Sequence, residues 1–173
     1  NVRRVACAIA KYVEDQKLQD KGVVIGYDTR FLSEEFAEIC AEMLAECNIK
    51  AFLVNRDTPT PVISYQILKK KAAGAINITA SHNPSTYNGI KFSPSYGGPA
   101  PVSVTKEIEK NIAKGSICTA TGKTKIQIFD PRPDYLRDIK RLINFQAIRK
   151  ANLKVGVDLL YGTGRGYLDQ LLV

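Results

Sequence analysis

An α/β domain, with a mainly parallel mixed sheet between two helical layers, is the fold class the sequence predicts, and three observations predict it. Short apolar runs at 22–28, 50–55 and 73–79 alternate with segments whose apolar residues recur at helical spacing. Each connection is long enough to hold a helix, as a crossover between parallel strands requires. After Gly89 the alternation changes, and an edge strand or hairpin is expected.

The elements follow in order. Val2, Val5, Ala6, Ile9 and Val13 mark an opening amphipathic helix. "GVVIGYD" (22–28) reads as a buried strand. Ser33 is placed to cap the next helix, with Glu34 and Glu35 in its first turn and Phe36, Ile39, Cys40, Met43 and Leu44 on one face. "KAFLVN" (50–55) is a second strand, and "TPTPVISYQILKKK" enters a helix through prolines that its first turn tolerates. "AGAINIT" (73–79) is a third strand. "GIKFSPSYGG" gives the edge strand or hairpin, "PVSVTKEIEKNIAK" a helix, "KIQIF" a strand and "DPRPDYLRDIKRLI" a turn leading into a helix. From Asn152, "NLKVGVDLLYGTGRGYLDQLLV" begins a fresh strand, loop and helix. The expected organisation is one domain over 1–145 and, over 146–173, the start of a second similar domain whose remainder is absent. The chain reads as a piece of a longer protein, since it opens inside a helix and without methionine.

Composition narrows the function classes. No apolar run approaches the ~20 residues of a membrane span. The net charge of +8 is scattered, and its densest run, "LKKKA" (68–72), falls at a helix end that suits cations. A solvated basic surface explains that charge, and so would a field that attracts a small phosphorylated substrate; no nucleic-acid or membrane partner is expected. Cys7, Cys40, Cys47 and Cys118 form no C-x-x-C pair. They suggest neither a disulfide framework nor a zinc site, and a reducing cytoplasm is the simpler setting.

Three stretches are candidates for chemistry. "GTGRG" (162–166) could cradle a phosphate, but Tyr167 stands where a dinucleotide fingerprint needs its third glycine, so a tight turn is the simpler reading. "YDTR" (27–30) follows the first strand, where open α/β sheets collect ligands. Asp28 and Arg30 could serve such a site, pair internally to order the loop, or do both. The third stretch, "NITASHNPSTYNGIKF" (77–92), places Ser81 and the only histidine, His82, directly after a strand. Pro84 holds Asn83 extended, and Asn88-Gly89 turns the chain back toward Lys91. An ordinary loop could hold these residues by chance. A Ser-His-acid triad fits poorly, because adjacent residues do not orient imidazole on hydroxyl and no G-x-S-x-G elbow exists. A serine carrying a phosphoryl group fits better. Its charge near −2 would suit Lys91, His82, Arg30 and a divalent metal.

"TASHNP" followed by "YNGIKF" resembles the phosphoserine loop of the α-D-phosphohexomutase superfamily, the phosphoglucomutases and phosphomannomutases. "GYDTR", "TPTP" and "YGGPA" agree with it. The resemblance implies a phosphohexomutase, an isomerase that interconverts hexose 1- and 6-phosphates through a phosphoserine and a bisphosphate. It implies Ser81 as phosphoryl carrier, Lys91 as general acid/base, His82 as a shaper of the site, and Arg30 and Asn83 as substrate- or phosphate-binding. Mg²⁺ would bind one oxygen of the Ser81 phosphoryl group, and glucose 1,6-bisphosphate would act as activator. A phosphorylated hexose and the missing domains II–IV of the same chain are the implied partners; without those domains the chain alone is expected to be inactive. A phosphoglucosamine mutase, a phosphopentomutase, or a non-catalytic phosphate- or nucleic-acid-binding module stand as alternatives.

Overall fold

The structure is a computed structural model that describes residues 1–115, 122 and 124–172; Cys118 lies outside them. Helix α1 (Val2–Asp15) leads to strand β1 (Val23–Tyr27), α2 (Ser33–Glu46), β2 (Ala51–Val54), α3 (Thr60–Lys70) and β3 (Gly74–Ile78). Then come β4 (Ile90–Pro94), α4 (Val102–Lys114), β5 (Ile126–Phe129), α5 (Arg132–Leu142), α6 (Phe145–Lys150) and α7 (Leu168–Leu172).

The sheet order is β4-β3-β1-β2-β5. β1 pairs in parallel with β2 and β3, β2 in parallel with β5, and β4 runs antiparallel against β3. The expected mainly parallel mixed sheet, with an antiparallel edge strand after Gly89, is therefore present. β1 to β2 steps one way across the sheet, and β2 to β3 steps back past β1. Right-handed crossovers in opposite directions must lie on opposite faces. Accordingly α1 packs between α2 and α4 on one face, and α3 packs with α5 on the other.

Alternation along the strands feeds both layers. Ile25, Ile76 and Ile78 join Ile9, Val13 and Leu44 in the larger core. Val24, Phe52 and Ala75 meet Ile63 and Ile67 of α3 on the opposite face. All five residues of β1 and of β3 are buried, which is why their sequences read as nearly continuous apolar runs, with Asn77 the polar exception. Gly26 faces α3 at close range: a Cβ there would lie 2.3 Å from Ile63 Cδ1.

Four local readings differ from the sequence expectation or refine it. Ser33 opens α2 rather than capping it; the preceding Leu32 takes φ 60°, and the Ser33 hydroxyl serves the loop network described below. Cys47 is disulfide-bonded, so the cysteines do not argue for a reducing compartment. Cys40 does match, a fully buried thiol pushed up to about 12 by desolvation. The segment from Asn152 forms no ladder: 153–159 run without a strand partner among the described residues, leaving Leu153 and Val155 exposed. Its far end is nonetheless anchored, because Tyr167 is only 4% exposed. Among the described residues no helix is long and apolar enough to cross a membrane.

Candidate active site

The loops after β1, β2 and β3 leave the same edge of the sheet, where open α/β sheets bind ligands. They carry Asp28 and Arg30, Arg56 and Asp57, and Ser81 respectively.

Ser81 is exposed and holds φ 58°, the left-handed region that L-residues other than glycine seldom occupy. Such a backbone costs ~1–3 kcal/mol and persists only where its surroundings fix it. Here they do. The Ser81 amide donates to Thr79 Oγ1 at 3.0 Å, and the Asn83 amide to the Ala80 carbonyl at 3.1 Å. The β3–β4 ladder extends one step further through the Thr79 amide and the Gly89 carbonyl, 3.0 Å apart.

Arg30 organises the rest of the loop. One terminal nitrogen donates to the carbonyls of Pro84 and Tyr87 at 2.8 and 2.9 Å; the other donates to those of Ser81 and Asn83 at 3.0 and 2.7 Å. Its Nε lies 3.3 Å from Asp28 Oδ2, an ion pair whose geometry falls short of a hydrogen bond. Asp28 Oδ1 accepts from the Arg30 amide and from Ser33 Oγ, both at 3.0 Å. Asn88 closes the network by donating to Ser33 Oγ at 2.9 Å. Of the two roles open to Asp28 and Arg30, the internal ion pair is thus observed. The expected direct grip of Arg30 on a phosphate meets a guanidinium whose N–H groups are already directed at its own chain. What Arg30 offers the site is a positive charge beneath the serine loop.

A cleft of about 880 Å³ opens over this network, lined among others by Asp28, Arg30, Ser81, Asn83 and Thr86, and also by Gly162 and Thr163. Ser81, Asn83 and Arg30 are therefore brought together as expected. Lys91 is not on that wall. It is exposed on β4 opposite Asn77, whose amide donates to Thr60 Oγ1 on the α3 side, and it borders a separate cavity of about 660 Å³. His82 is exposed and lines neither cavity.

Two further residues, Arg56 and Asp57, were not singled out by the sequence, and they hold Arg165 of the 162–166 stretch. Arg165 pairs with Asp57 at 3.0 Å, and Arg56 donates to the Arg165 carbonyl at 2.9 Å. The signal was available: "RD" follows β2 as "DTR" follows β1, so the same strand-end rule would have found it. Tyr27, beneath this group, donates to Glu34 at 2.9 Å, and its phenol is pushed up mainly by burial and then by that bond.

The donors around Ser81 do not make a complete Mg²⁺ site. Such an ion asks for near-octahedral oxygen ligands with carboxylates among them. The serine loop supplies hydroxyls and amides, Asp28 is already committed, and no group of three His, Cys, Asp or Glu side chains converges among the described residues.

The fold defines an α/β/α domain with an exposed serine at a strand end, and comparison with known proteins identifies that domain. The family model "Phosphoglucomutase/phosphomannomutase, alpha/beta/alpha domain I" matches residues 1–117. The chain belongs to that family. It is 31% identical over 182 residues to a phosphoglucomutase of Staphylococcus saprophyticus, covering 99% of this chain and 32% of the relative. A Staphylococcus aureus phosphoglucomutase is 32% identical over 180 residues, with the same coverage of 99% and 32%. The chain thus spans about a third of the length of the curated relatives it matches. Among solved structures, a Thermus thermophilus protein described as a phosphomannomutase superposes with a TM-score of 0.85 at 32% identity, over 99% of this chain and 38% of that one. The Paramecium phosphoglucomutase parafusin superposes at 0.73 with 18% identity, over 99% and 38%, and shows the fold alone.

Proposed function

We propose that this chain is the catalytic-serine domain of a phosphohexomutase, and that Ser81 carries the exchanged phosphoryl group. The observation that carries the reading is the presentation of Ser81: an exposed hydroxyl on a strained backbone, at the carboxyl end of a buried strand, with four loop carbonyls gathered on one arginine. Family membership supports the reaction class, and the whole protein's activity is inferred from it.

In that reaction a hydroxyl oxygen of a hexose monophosphate attacks the phosphorus on Ser81. The new O–P bond forms as the Oγ–P bond breaks, the hydroxyl proton passes by way of a base to Ser81 Oγ, and a hexose bisphosphate forms. After the bisphosphate turns over, Ser81 Oγ takes the other phosphoryl group and the isomeric monophosphate departs. Such transfers depend on positioning and charge neutralisation. The rigid loop supplies the first, and Arg30 beneath it contributes to the second. Lys91 and His82 are the candidates for the proton. Lys91 borders the neighbouring cavity rather than the Ser81 cleft. Glucose 1,6-bisphosphate, the intermediate itself, would restore phosphate to Ser81 after loss.

The test uses the full-length protein with glucose 1-phosphate, Mg²⁺ and the bisphosphate. Ser81→Ala is expected to lose nearly all turnover while keeping its melting temperature, and the 1–173 chain alone is expected to show none. Near-normal turnover by Ser81→Ala would overturn the assignment.

A further inference from the structure

The loop at 162–166 reaches the Ser81 cleft, although most of the run that precedes it is exposed. Leu153 and Val155 are exposed, and Leu160 and Tyr161 both hold positive φ while more than four-fifths exposed. Burial of that run therefore does not place the loop. Its position is set from the other end. Tyr167 inserts edge-on against Tyr135, with ring centroids 6.0 Å apart. Arg165 pairs with Asp57, and Arg56 holds the Arg165 carbonyl. Gly166, at φ 77°, passes so close to Arg56 and Arg132 that a Cβ would sit 3.1 Å from a terminal nitrogen of each. The result is that Gly162 and Thr163 form part of the wall that faces Ser81.

We propose that the Arg165–Asp57 bridge, together with the bond from Arg56 to the Arg165 carbonyl, is a latch that fixes Gly162 and Thr163 over the serine, and that Asp57 and Arg165 are positioning residues for phosphoryl transfer. The inference rests on the reading of Ser81 above. Asp57 follows β2 and Ser81 follows β3, so the latch ties the loop to the sheet edge from which the serine projects. It acts through the loop's position rather than by touching phosphate. Losing it should thus lower the rate of transfer more than the affinity for substrate. A displacement of ~1 Å can cost on the order of 100-fold in rate, so a fall in kcat of about 10- to 100-fold is expected, with KM changed less than about threefold.

The experiment compares full-length wild type, Arg165→Met, Arg165→Lys and the exchange Asp57→Arg with Arg165→Asp. Each is measured for kcat, for KM, for melting temperature and, by peptide mass, for phosphate on Ser81. The expected result is a low kcat in Arg165→Met with KM and melting temperature near wild type, and partial recovery of kcat in Arg165→Lys or in the exchange. Unchanged kcat in Arg165→Met, or a loss that neither rescue variant relieves, overturns the latch while leaving the phosphoserine reading intact. Absence of phosphate on Ser81 in an active wild type overturns both.

Discussion

Arg30→Ala should loosen the serine loop without unfolding the domain. The substitution removes four hydrogen bonds to the carbonyls of Ser81, Asn83, Pro84 and Tyr87, and leaves Asp28 without its cation. A hydrogen bond from a charged donor contributes about 1.5–3 kcal/mol net, and a neutral one about 1. The loop is largely exposed, so water replaces much of what is lost, and about 0.5 kcal/mol per bond survives as net cost. Four bonds then give a local penalty of ~2 kcal/mol, or ~30-fold in the opening equilibrium of the loop. Hydrogen exchange followed by mass spectrometry reads this directly in peptides covering 79–89, while the helical core serves as the unchanged reference. Arg30→Lys keeps the charge but not the fork of donors, and should recover less than half of the protection. If 79–89 in Arg30→Ala exchange within about threefold of wild type, Arg30 is not the organiser of the loop.

Three other outcomes follow from the same structure. Gly26→Ala sets a methyl 2.3 Å from Ile63 Cδ1 and should destabilise the domain by ~1–3 kcal/mol, read as a lower urea midpoint with an unchanged m-value. The Asp130 carboxyl is held below its usual range, chiefly by the side-chain hydrogen bond from Arg132. Its stabilisation is present above the unfolded value of about 3.9 and is lost as pH falls through the lower folded value. Asp130→Asn should therefore have the lower urea midpoint at pH 7, with the gap to wild type closing below about pH 4; a gap that widens in acid would contradict this. In the full-length enzyme, Lys91→Met should depress kcat more than it raises KM, and a change in KM alone would make Lys91 a binding residue.

Much of the scaffold was legible in the chain because its signals are local. Two fully buried strands read as mainly apolar runs, and prolines at 59 and 61 marked the entrance to α3. The serine loop was legible too, since Pro84, Asn88 and Gly89 each restrict the backbone by their own chemistry. What escaped was set by tertiary partners. Ser33 has the composition of a cap, yet Asp28 and Asn88 recruit its hydroxyl. Arg30 was legible as a strand-end cation, but sequence does not show that its terminal nitrogens gather four loop carbonyls. The Asp57–Arg165 pair joins residues 108 positions apart, a distance no local pattern spans. Lys91 shares a motif with Ser81, but β4 carries it along the edge of the sheet, where it borders a different cavity.

The account stands most directly on where the phosphoryl group resides. Cleavage after Lys71 and Lys91 yields a peptide of residues 72–91 that contains Ser81 and also Thr79, Ser85 and Thr86. The measurement is to incubate the full-length protein with glucose 1,6-bisphosphate labelled in its phosphoryl groups, remove free sugar, and sequence that peptide by mass. Label on Ser81 that transfers to added glucose 1-phosphate is the predicted result. Label on Ser85 or Thr86 instead, or turnover with no label retained anywhere in 72–91, would contradict it.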